Sequence, residues 1–188
     1  GVQLTVSSGD PARLLISTSA TAQGSAQVVL PISAGQSGSS LPLFFQGLDS
    51  TGTVQVTATA PGYAPRVVTV TLVPSGFVIN PFQLSNFTTT TLAANQTVQI
   101  TPAQLNPSGL GWVNNLAVRG GLGPINVTVT ATDQPTGGSS VGTIVGSPAV
   151  FNGGDTFKNI AFDPAAAGTS LIQVVTPTGF NFSTPGTS

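Results

Sequence analysis

Apolar and polar residues alternate with a period of two over most of this chain. In Thr53–Thr59, Val54, Val56 and Ala58 fall on one face, and Thr53, Gln55, Thr57 and Thr59 fall on the other. That is the pattern of a half-buried β-strand. The same reading predicts strands over Val2–Ser8, Arg13–Ser17, Ala26–Ile32, Pro42–Gln46 and Arg66–Leu72 in the first half. In the second half it predicts Thr91–Thr101 and Trp112–Arg119. Gly, Pro, Asn and Ser punctuate these runs about every 8–12 residues, which is the spacing of a β-sandwich. No segment longer than ten residues carries helical spacing with a cap. The three alanines between Pro164 and Gly168 leave room for one turn at most.

The alternation is itself repeated. Leu4-Thr5-Val6-Ser7-Ser8-Gly9-Asp10-Pro11 returns as Val127-Thr128-Val129-Thr130-Ala131-Thr132-Asp133-Gln134-Pro135, a shift of 123 residues. Gly52 to Ala60-Pro61-Gly62-Tyr63 returns as Gly168 to Thr176-Pro177-Thr178-Gly179-Phe180, with Gly52 and Gly168 116 residues apart. Such a repeat means stacked or tandem modules, here residues 1–82 and 83–188, each long enough for a sandwich core. A short apolar junction near Pro74 to Thr90 separates them and predicts semi-rigid coupling. The copies are out of phase. The first has nothing before its Val-Thr-Val strand, and the second has only the turn-rich Asn181–Ser188 after its Pro-Thr-Gly-Phe. The first module is therefore expected to lack opening strands, and the second its closing strand.

Composition narrows the function. Nine side chains are formally charged, 5% of the chain, and there is no Glu, His, Cys or Met. A typical soluble domain carries about 25%. The surface must therefore be built of hydroxyls and amides, and a net charge of −1 gives little repulsion between copies. The four cations Arg13, Arg66, Arg119 and Lys158 are scattered, which argues against a nucleic acid partner. No run approaches the 18 apolar residues of a membrane-spanning helix. One Trp and one Tyr do not make the aromatic girdles of an outer-membrane barrel. Without cysteine, the fold depends on packing alone. The Thr- and Ser-rich, Lys- and Glu-poor composition points to an extracellular or cell-surface setting. The absence of Met reads as a mature or excised segment, with initiator removal before Gly1 as the alternative.

Candidate chemistry is sparse. Asp10 and Asp133 hold equivalent places in the two copies. As calcium ligands they would need carboxylate neighbours that the sequence does not supply, so each reads as a turn former. Asp155, Lys158 and Asp163 form the densest charge cluster. A glycosidase pair needs carboxyls about 5–10 Å apart, whereas eight extended residues span roughly 26 Å. No His is present to activate a serine. The expectation is therefore no enzyme, no cofactor and no metal site. Trp112, Tyr63 and Phe180 could form a sugar-stacking platform; Tyr63 and Phe180, as repeat equivalents, read instead as packing residues. The longest candidate binding loop is Pro102–Asn115. Asn86, Asn95, Asn126 and Asn181 head glycosylation sequons.

The pattern resembles the bacterial immunoglobulin-like repeats of very large secreted and surface proteins. The resemblance is carried by Val129-Thr130 through Asp133, Val141-Gly142-Thr143-Ile144-Val145, Phe151-Asn152-Gly153-Gly154, Phe162-Asp163-Pro164-Ala165-Ala166-Ala167-Gly168-Thr169 and Pro177-Thr178-Gly179-Phe180. In the first module Gly52-Thr53 and Ala60-Pro61-Gly62-Tyr63 fall at the same places. It implies an all-β fold of two tandem immunoglobulin-like β-sandwiches acting as stalk, spacer or filament subunit. The partners would be further copies, or flanking repeats of one long chain, joined by strand addition. The alternative is an adhesin module for a carbohydrate or receptor.

Overall fold

β-Branched residues fill most of the periodic runs, and every described run contains a strand. The computed structural model describes residues 1–35, 41–79, 86–134 and 140–181, among which no helix forms. The residues read as linker at 80–85, and the tail beyond Asn181, lie outside them. The strands are β1 (Val2–Ser8), β2 (Leu14–Ser17), β3 (Gln27–Ile32), β4 (Phe44–Gly47), β5 (Thr53–Thr59), β6 (Arg66–Thr71), β7 (Ser75–Ile79) and β8 (Gln96–Leu105). They continue with β9 (Trp112–Asn115), β10 (Ile125–Val127), β11 (Val129–Gln134), β12 (Gly142–Val145), β13 (Ala149–Phe151), β14 (Lys158–Pro164) and β15 (Thr169–Val174). Two compact units result: Gly1–Pro74 with Arg119–Leu122, and Ser75–Val118 with Gly123–Ser188.

In the first unit a sheet ordered β3-β1-β5-β6 faces the pair β2-β4. The core between them is Val6, Leu14, Ile16, Val54, Val56 and Leu72, with Leu43 and Val70 packed at its margin. These are the inward positions of the alternation. The second unit has β12-β14-β8-β7 with β9 on β8, and the pairs β10-β13 and β11-β15. Phe77 of β7 meets Phe151 of β13 with ring centroids 4.9 Å apart. Phe151 is fully buried, a burial worth about 1.5–3 kcal/mol.

Three segments differ from the sequence reading. The strand expected over Trp112–Arg119 stops at Asn115, beyond which Val118 N–H turns to the Asp155 carbonyl. Ser75–Ile79, inside the residues 1–82 read as the first module, pairs with β8 over five rungs and so lies in the second unit. The strand expected at Thr91–Thr101 starts at Gln96, after a turn in which Ala93 N–H donates to the Thr90 carbonyl at 3.0 Å. It also runs on through Pro102. Pro102 accepts from Leu116 N–H at 2.8 Å, so its donor-less nitrogen faces the edge where β8 changes partner from β14 to β9. At that point no donor is required.

Candidate functional site: two unlike open edges on a repeated ladder

The residues of the sequence repeat pair in the same register in both units. In the first unit β1 pairs with β5, Val6 opposite Ala58, Ser7 opposite Thr57 and Ser8 opposite Val56. Moving those residues by 123 and 116 positions gives Val129 opposite Val174, Thr130 opposite Gln173 and Ala131 opposite Ile172. Those are rungs of the β11–β15 ladder. The correspondence extends to strands that sequence comparison missed. Val2–Ile32, Gln3–Pro31 and Leu4–Leu30 match Ile125–Phe151, Asn126–Val150 and Val127–Ala149. Leu14–Gly47 and Ile16–Phe45 match Gly142–Pro164 and Ile144–Phe162. The signal in these strands was register, which identity between residues does not carry. The repeats also end in the same turn. Tyr63 N–H donates to Ala60 and Phe180 N–H to Pro177, each with a glycine at the third position, Gly62 at φ 81° and Gly179 at φ 87°. That is the left-handed position of a type II turn.

The units differ at their edges. β14 carries β12 on one side and β8 on the other, whereas β4 carries β2 alone among the described residues. Conversely β5 carries β6 on its outer side, whereas β15 pairs with β11 alone among the described residues. Beside β15 lies a cavity of about 790 Å³ lined by Ile79, Val98, Phe162, Val141, Leu171, Ile172 and the threonines 88–91. Its lining holds hydroxyls and apolar surface but no charged side chain. It offers shape and hydroxyl groups rather than charge.

The residues singled out for chemistry serve local structure. Asp10 closes a turn: its Oδ1 accepts from Ala12 N–H at 3.2 Å, and its carbonyl accepts from Arg13 and Leu14 N–H. Asp133 lies within β11 opposite Ser170, so the two equivalents do not share a setting. Asp155 ties its own turn, accepting from Asn152 N–H at 2.7 Å and pairing with Lys158 Nζ at 2.9 Å. These contacts hold its carboxyl below the ordinary value, the Asn152 N–H most strongly. Asp163 stands on the exposed side of β14, with that extended strand between it and Asp155. The run from Lys158 to Asp163 alone spans roughly 17 Å, beyond the reach of a paired-acid mechanism. Among the described residues no three acids, His or Cys gather to hold a metal, and no helix is long and apolar enough to cross a membrane.

The aromatic residues do not act alike. Trp112 packs on Val78, Ala103 and Leu105 and donates Nε1–H to Asn115 Oδ1 at 2.9 Å. Phe180 packs edge-on against Phe77 at 5.0 Å. Tyr63, expected to pack like Phe180, is 69% exposed. Pro102–Asn115 is no long polar loop. It is the end of β8, a turn in which Asn106 accepts from Ser108 and Leu110 N–H, and β9. Asn86, Asn95 and Asn126 are exposed, while most of the Asn181 sequon lies outside the described residues.

Sequence reading missed two anchors. Gln46, 3% exposed, accepts from Gly24 N–H at 2.8 Å and donates to the Ala22 carbonyl at 2.9 Å. Arg13 bonds Asp49 at 2.9 Å and the Thr51 carbonyl. Its guanidinium fills the place a Cβ would take on Gly52, at φ 80°. Ser50 N–H first, then Arg13, holds the Asp49 carboxyl low. Compared with known proteins, the chain matches no family model, no curated protein and no solved structure.

Proposed function

We propose that this chain is a structural module of an extracellular bacterial surface protein or filament: two tandem immunoglobulin-like sandwiches serving as stalk, spacer or polymer subunit. The observation that carries this reading is the recurrence of one ladder in one register in both units, the mark of an array built by repetition. The unlike open edges support joining by strand addition, to further copies or to flanking repeats of a longer chain. A surface with 5% charged side chains supports close association. Electron microscopy of native material tests the reading. Filaments or stalks with an axial repeat of two sandwiches are expected, and particles of single, unjoined molecules at every concentration would overturn it.

A further inference from the structure

The edge of β4, which pairs with β2 alone among the described residues, has a template in the other unit. Leu48 N–H donates to the Arg13 carbonyl at 2.9 Å, and rungs of an antiparallel pair alternate between bonded and non-bonded. Gln46 and Phe44 therefore bond β2, while Phe45 and Gly47 turn their backbone groups to the open side. Ile16 confirms the phase, since it exchanges both its backbone bonds with Ser25 on the far edge of β2. In the second unit Ala165 N–H donates to Val141, so Phe162 likewise turns its groups away from β12. There they meet β8, with Phe162 opposite Gln96, Ile160 opposite Val98 and Lys158 opposite Ile100. The matched phenylalanines record the difference: Phe162 is 4% exposed and Phe45 is 47% exposed. Val68 of β6, on the face it shares with core residue Val56, is 52% exposed. Both sheets of the first unit thus present inward-directed apolar side chains to solvent.

We infer that the β4 edge receives a strand of the β8 type from another copy of the repeat. The strand runs antiparallel to β4, with its equivalent of Val98 opposite Leu43 and of Gln96 opposite Phe45. The occupant needs β8's chemistry: an extended segment with apolar side chains at every second position, as Val98 and Ile100 are, both fully buried. The inference rests on the strand-addition reading above and assigns its register and residues.

The test adds a synthetic peptide of residues 94–106 to the full chain and follows hydrogen exchange. Saturable binding with slowed exchange confined to residues 41–48 is expected. Phe45→Pro removes the ring together with the donor that faces the open edge and keeps the β2 ladder's hydrogen bonds, so it should weaken binding at least about fivefold beyond Phe45→Ala. A peptide carrying Val98→Asp and Ile100→Asp should not bind. Circular dichroism of the Phe45→Pro chain, and a Phe45→Ala chain assayed alongside, separate a lost edge from a lost fold. No saturation by about 1 mM peptide, equal binding of the Asp peptide, or protection elsewhere overturns the inference. Native filaments in which β4 stays unprotected would sink this inference and leave the array reading standing. Peptide bound at β4 by a chain that never assembles would do the reverse.

Discussion

At the residue scale, a few polar anchors add to the apolar core, and hydrophobic patterning cannot reveal them. Gln46 occupies a strand position that alternation reads as outward and polar. It is nevertheless buried, because the segment after β2 folds over it and bonds both ends of its amide. Gln46→Leu should cost about 1–3 kcal/mol by leaving Gly24 N–H unpaired and the Ala22 carbonyl with only the longer bond from Ser17 Oγ, read as a lower urea midpoint. Asp49 and Asp155 set the pH response. Both carboxyls are held below the ordinary 3.8 by backbone N–H groups and a cation. Their contribution is therefore present above that value and lost as pH falls through the lower folded-state values. With no His, Glu or Cys, no side-chain type here ordinarily titrates between about pH 5 and 8. The thermal midpoint should be flat across that range and decline below about pH 4, and Asp49→Asn should flatten the decline.

At the element scale, the strands were legible and their partners were not. Val2–Ser8 and Thr53–Thr59 were read at their observed limits, because β-branched alternation is a local property. Pairing is non-local. It took the ladders to show that Phe45 and Phe162 are one position in two settings, and that Ser75–Ile79 belongs with β8. Pro102 misled because a proline ends a strand only where its missing donor is needed. The open edges were legible only as a phase difference between the copies, which gave no register. The matched phenylalanines yield a direct comparison. Phe162→Ala should destabilise the second unit by about 3–5 kcal/mol, as for a filled core position. Phe45→Ala, at a half-exposed site, should cost less than about 1 kcal/mol. Chemical denaturation of both variants measures the difference, and equal costs would mean the two sites are equally covered.

At the scale of the whole molecule, the two gaps are not alike, and that decides the kind of assembly the proposed reading allows. A self-complementary patch closes on itself as a dimer. Under that reading, two different edges, one on the β8 side of the repeat and one on the β6 side, call for a head-to-tail contact, which extends into a filament where its rotation does not close a ring. The proposed contact would rest on ladder hydrogen bonds and apolar burial, since five acids and four cations spread over 188 residues give little field to steer or oppose it. Screening shortens from about 30 Å at 0.01 M salt to about 3 Å at 1 M. Association followed by sedimentation should therefore change less than about twofold between those limits. Sulfate should strengthen it by favouring apolar burial. Assemblies that fall apart as sodium chloride is raised would mean the copies meet through charges, and the strand edges would then not be the joint.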